Sequence, residues 1–96
     1  MNLNWRNISL IELEKNFNPR EAVSNFSDYI EKYKDLGKKT RKEYPCIIDV
    51  SYGKTPLQKL DIFGHKNLKN ANVHIFIHGG YWRALDKSEH SQLAKP

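Results

Sequence analysis

Two kinds of hydrophobic spacing divide this chain. Up to about residue 44 the apolar positions recur three and four apart, the period of a helix with one buried face. Ser9 and Glu12 fit a capping box, with Leu10, Leu13 and Phe17 as a short apolar stripe behind them. A second start is marked more sharply. Asn18 can cap, Pro19 suits the first helical position, and Glu21 lies three after the cap. Val23, Phe26, Ile30 and Tyr33 then follow at helical spacing, with Ala22 and Tyr29 beside them. Gly37 offers one end to this helix. Glu43 offers another, because Tyr44 precedes Pro45 and a residue before proline avoids the helical region. Such helices are amphipathic and must lie on something.

Beyond residue 44 the period shortens to two. Cys46–Tyr52, CIIDVSY, is rich in β-branched residues and bounded by Pro45 and Gly53, which predicts a strand. GKTP follows as a turn, and Gln58–Phe63, QKLDIF, alternates. Leu60 and Ile62 fall on one face, Lys59, Asp61 and Phe63 on a wetter one. The pair reads as a hairpin. GHKNLKNAN is a polar loop. Val73–Ile77, VHIFI, is apolar on both faces, as a strand covered on both sides would be. After HGGYWRALDKS, the run SEHSQLAKP can open a last helix, with Ser88 as its cap. The expected fold class is α/β, with a helical unit over 1–44 and the opening strands of a sheet over 45–96. A doubly covered strand needs paired neighbours and two covering layers, more than these elements supply, so the sheet is expected to be incomplete.

Composition narrows the class. The 96 residues are 39% hydrophobic and 28% charged, ordinary for a globular domain. No apolar run approaches a membrane span. The first ten residues, MNLNWRNISL, lack the basic-then-apolar order of a signal peptide, so cytoplasmic residence is the expectation. On that expectation the glycosylation patterns at Asn7 and Asn25 are chance matches. One cysteine, Cys46, allows no internal disulfide and no thiolate-rich zinc site. The net charge of +5 raises the question of nucleic acid. Its densest run, Lys38–Lys42, sits where a helix end favours cations and reads as a solvated helix terminus before it reads as a phosphate patch.

The chemistry-bearing stretch is His78-Gly79-Gly80-Tyr81-Trp82, at the end of the most apolar strand. A glycine pair suits a sharp turn needing positive φ. It equally suits a place where consecutive backbone N–H groups must face a concave space with no Cβ in the way, to hold an anion or a developing oxyanion.

HGGYW after an apolar strand resembles the oxyanion-hole loop of α/β-hydrolases, between the third strand and the first helix. With YGKTPLQKLDIF upstream and RALDKSEHSQLA downstream, the chain from about residue 10 onward resembles the N-terminal part of arylformamidase-like (kynurenine formamidase-like) esterases. LEKNFNPREAVSNF resembles their N-terminal extension. The resemblance implies cofactor-free, metal-free hydrolysis of a small ester or arylformamide by a Ser-His-Asp triad. It places the oxyanion on the amides of Gly79, Gly80 and Tyr81, and makes Tyr81 and Trp82 walls of an aryl pocket. His78 braces the loop. Asp86 and Lys87 form either a loop-fixing pair or a surface pair. For Trp82, plain core packing is the competing reading.

The triad itself has no counterpart here. No serine among Ser9, Ser24, Ser27, Ser51, Ser88 and Ser91 lies in G-x-S-x-G. The resemblance puts nucleophile, acid and base after the loop, beyond Pro96. The chain is therefore expected to supply the oxyanion loop of a longer enzyme and to be inactive alone, or else to be a short non-catalytic protein that binds a companion chain completing the sheet. Other chemistry is poorly served. His74 and His78, four apart on a strand, are about 13 Å apart and cannot share a metal. His90 is too near Ser88 and Ser91 in sequence to form a triad, and His65 has no partner in view. Cys46 reads as a small core residue. Neither nucleic acid nor membrane is an expected partner.

Overall fold

The computed structural model describes residues 7–96. The leader reading of the first ten residues falls largely outside them, as does the start of the 1–44 unit. The described residues combine helices with one two-stranded antiparallel sheet. The order is α1 (Leu10–Phe17), α2 (Pro19–Ala22), α3 (Phe26–Glu43), β1 (Cys46–Ser51), β2 (Lys59–Phe63) and a C-terminal 3-10 helix (Lys87–Ala94). Among these residues no helix is long and apolar enough to cross a membrane.

Local chemistry sets the helix boundaries. The Ser9 hydroxyl accepts from Glu12 N at 3.1 Å and starts α1. Asn18 Oδ1 accepts from Arg20 N, but α2 lasts one turn, ending at Val23. The long helix expected from Asn18 is thus broken, and α3 restarts after Asn25. It runs straight through Gly37 and ends at Glu43, before Tyr44-Pro45. Gly37 is therefore no stop. It is buried against the 3-10 helix, where a Cβ would stand 2.2 Å from the Ser88 carbonyl oxygen. The last helix is capped by Asp86, not by Ser88. Asp86 Oδ2 accepts from Ser88 N at 3.0 Å, and Glu89 Oε2 accepts from Asp86 N at 2.9 Å, a reciprocal box.

The hairpin pairs Cys46 with Phe63, Ile47 with Ile62, Val50 with Leu60 and Ser51 with Lys59. A bulge lies between Ile47 and Val50. Asp49 within it takes φ 60°, and its N–H donates to Asp61 Oδ1 at 2.9 Å. The extra residue brings Ile47 and Val50, three apart, onto the same face as Leu60 and Ile62. On that apolar face Ile47, Leu60 and Ile62 are exposed and Val50 is half-buried. Asp61 and Phe63, the face expected to be wet, are the better covered. The reason is electrostatic: the 3-10 helix brings Lys87 to that side, and Asp61 holds it.

Val73–Ile77 is not part of a sheet. The only strand pair among the described residues is β1–β2, and Ile75 and Ile77 are 77% and 86% exposed. An apolar run has no ladder until another strand lies beside it, and β1 and β2 pair with each other instead. Among the described residues no hydrophobic side chain is fully buried. The buried positions are Gly37, Thr40, Glu89 and Ser91, where α3 meets the 3-10 helix. The radius of gyration is 18.7 Å. A compact domain of this length has about 13 Å.

Candidate active-site loop

Gly79 to Asp86 connects the unpaired apolar segment to the 3-10 helix. The Gly80 carbonyl accepts from Arg83 N at 3.0 Å and Ala84 N at 3.1 Å, which closes a tight turn. Gly80 has φ 131°, and a Cβ on it would fall 1.9 Å from the Ala84 carbonyl oxygen. The turn therefore requires glycine here. Gly79 is different: a Cβ on it would meet nothing within 4 Å. Tyr81 and Trp82 follow at φ 54° and 57°, and Leu85 at 70°. Each left-handed residue other than glycine costs about 1 kcal/mol or more, and such strain gathers at functional sites.

The N–H groups of Gly79, Gly80, Tyr81 and Trp82 donate to no protein acceptor among the described residues. Gly80 and Tyr81 line a broad, open cleft of about 970 Å³, with Leu13 and Phe17 of α1 and with Arg20 and Arg83. The lining thus holds two aromatic residues, Phe17 and Tyr81, two cationic ones and the acidic Glu14. Arg20 lies over the Phe26 ring at 5.7 Å. Trp82 lies apart from the cleft, 99% exposed, with its ring 6.0 Å from that of Tyr81. Within this chain it neither walls the pocket nor packs in a core.

His78 Nδ1 lies 2.7 Å from the Gly79 carbonyl oxygen. A carbonyl can only accept, so Nδ1 carries the proton and donates. The His78 ring stacks on His90 at 5.4 Å and 16°, and Phe76 leans on the same His90 ring at 5.7 Å. His90 Nδ1 in turn faces the Asp86 carbonyl oxygen at 3.1 Å. His90, set aside as a catalytic residue from its sequence position, docks the head of the loop onto the 3-10 helix. Its spacing from His78 matches no motif, so only the fold could reveal the stack.

Asp86 and Lys87 do not pair with each other. Asp86 caps the helix, as above. Hydrogen bonding from the Ser88 hydroxyl, against some burial, holds its carboxyl below the usual 3.8. Lys87 Nζ lies 2.8 Å from Asp49 Oδ1 and 2.7 Å from Asp61 Oδ1. Burial pulls the Lys87 pKa down, but hydrogen bonds to Asp49 and Asp61, with their charges, raise it above 10.5. The bond from Lys87 holds the Asp49 carboxyl below 3.8. Arg41 is likewise turned inward from the basic run, donating to Ser88 O and Ser91 Oγ, both at 2.7 Å. The helix end is therefore not simply solvated. Cys46 is half-buried, its thiol 3.5 Å from the Arg41 carbonyl oxygen.

No protein-family model matches the chain, and no solved structure matches it. Two curated proteins are similar in sequence. The kynurenine formamidase of Danio rerio is 28% identical over 99 aligned positions, and that of Salmo salar 26% over 99, each alignment covering 96% of this chain and 34% of the relative. The chain spans about a third of the length of these relatives and is related to them in sequence along nearly all of its own.

Proposed function

We propose that this chain is the oxyanion-loop portion of an arylformamidase-like hydrolase with the α/β-hydrolase fold. Its complete form, cytoplasmic and cofactor-free, cleaves a small carboxylic ester or arylformamide. The two units, 1–44 and 45–96, are then a helical extension and the start of the catalytic domain. One observation carries the reading. The amides of Gly79, Gly80 and Tyr81 are unengaged within a strained turn, Gly80 and Tyr81 face a cleft, and the surrounding sequence aligns with kynurenine formamidases.

The mechanism follows from where charge develops. A serine nucleophile attacks the acyl or formyl carbonyl, and the carbonyl oxygen becomes an alkoxide. Fixed N–H donors stabilise that charge without reorganising, each contributing about 3 kcal/mol to lowering the barrier. Gly79 keeps the approach clear, Tyr81 offers an aromatic wall, and His78 steadies the Gly79 carbonyl so that the amides keep their aim. The nucleophile, acid and base belong to the other two thirds of such an enzyme, together with the donor that follows the nucleophile.

The 96-residue chain alone is expected to hydrolyse neither p-nitrophenyl acetate nor N-formylkynurenine above the buffer rate. The coding sequence past the Pro96 codon is expected to encode G-x-S-x-G. The joined or co-expressed product should hydrolyse N-formylkynurenine, and Gly79→Pro, which deletes one donor, should lower its kcat by about a hundredfold or more. Undiminished turnover in that variant would refute the loop's role. The exposed Ile47, Leu60 and Ile62 of the hairpin also suit a non-catalytic protein docked on a companion chain. Absence of a downstream nucleophile elbow, with capture of a stable partner, would favour that second reading.

A further inference from the structure

Resting on the reading of Gly79–Tyr81 as an oxyanion hole, we infer that Lys87, clasped by Asp61 and Asp49, is a positioning residue that holds this loop against the sheet. The loop needs such a device. Its leading segment, Val73–Ile77, makes no ladder with the hairpin among the described residues. Both ends of the loop are instead tied to the 3-10 helix, the head through the His78–His90 stack and the tail through the Asp86 cap. Where that helix stands therefore decides where the amides point.

The helix is fastened on two sides. Toward α3 it is held by the close approach at Gly37 and by Arg41. Toward the hairpin, a single ammonium group makes the ion-pair fastening. Lys87 Nζ reaches Asp61 on β2 and Asp49 in the bulge of β1, and Asp61 Oδ1 also accepts the Asp49 N–H. The Asp61 side chain is only 6% exposed. A carboxylate so enclosed is costly to leave unpaired, which keeps the clasp shut. Asp61 and Lys87 lie in the Leu-Asp-Ile and Asp-Lys-Ser stretches, 26 residues apart in sequence. The fold joins them in one ion pair at opposite borders of the loop's support.

The test uses chymotrypsin on the full chain at low micromolar concentration, with cleavage sites assigned by mass spectrometry. Cuts after Tyr81 and Trp82 report the loop, and cuts after Tyr29 and Tyr33 report α3. Lys87→Met should raise loop cleavage about tenfold relative to α3 cleavage, because proteolysis tracks the open population. Asp61→Asn should behave like Lys87→Met, and Lys87→Arg should stay within about twofold of the parent, since it keeps the charge. Unchanged loop cleavage in Lys87→Met overturns the inference. So does an equal rise at both sites, which would make Lys87 a general stabiliser, or a parent loop cut as fast as an unfolded peptide. If Lys87→Met cannot be recovered intact, Asp49→Asn at the half-exposed carboxylate should give a smaller rise of the same sign, and no rise overturns the proposal equally. None of these readouts needs turnover, so a chain that passes here while its joined or co-expressed product fails to hydrolyse N-formylkynurenine sinks the proposed activity alone.

Discussion

Two adjacent glycines in the loop have different physical reasons. Gly80 answers to its own chain: the positive φ and the Ala84 carbonyl leave no room for a side chain. Gly79 answers to nothing in this chain. Gly80→Ala should therefore loosen the turn and speed chymotryptic cleavage after Tyr81, while Gly79→Ala should leave the cleavage pattern unchanged. Equal effects would remove the distinction. The sequence showed that a side chain was surrendered twice; it could not show that only one surrender is local. Gly37 makes the same point more strongly. From its neighbours it reads as a helix stop, but its meaning lies in Ser88, 51 positions on. Alanine there gains about 1 kcal/mol of helix propensity, yet overpacking against a backbone carbonyl costs about 1–3 kcal/mol. Gly37→Ala should accordingly speed hydrogen exchange across Lys87–Ala94; slower exchange would mean that propensity wins.

Among elements, the contact of the 3-10 helix with the hairpin is ionic, so its range in pH can be stated. Asp49 and Asp86 titrate below their usual 3.8 when folded. What they contribute is present above that value and is lost as pH falls from there through their lowered pKa values. Lys87 titrates above 10.5 when folded, so its contribution is complete below 10.5 and is lost as pH rises past its raised value. The helix should thus be fully docked between about pH 4 and pH 10.5, and loosen as pH falls through the lowered carboxylate values or rises past the raised Lys87 value. Hydrogen exchange over Lys87–Ala94, measured after correction for intrinsic rates, should show a plateau with two flanks. A profile with no acid flank at all would rule the clasp out. Element type was legible because period and capping are local: α1, the end of α3 and the hairpin all follow from nearby residues. The break at Val23, the faces of β2 and the docking of Lys87 were not. A one-turn helix, a bulge and an ion pair 26 residues long are decided by what packs where. Val73–Ile77 shows the remaining limit, since two-sided apolarity states a need for neighbouring strands without providing them.

The described residues make a molecule of sound elements lacking a shared interior. Its most enclosed region is a polar seam of Gly37, Thr40, Glu89 and Ser91, while the isoleucines and leucines of the hairpin and of the segment before the loop face outward. Exposed apolar surface on this scale marks an interface. Relatives three times as long have the chain to cover it. Expressed alone, the protein should self-associate on size-exclusion chromatography and bind a hydrophobic dye; a monomer with a sharp cooperative melt would count heavily against this view. The irregular residue in β1 has a consequence at this scale too. Deleting Asp49 would heal the ladder, leaving Ile48 opposite Asp61 and every rung filled. Exchange in the hairpin should slow while exchange in the last helix quickens. The perfected sheet would have lost one of the two carboxylates by which it grips the last helix.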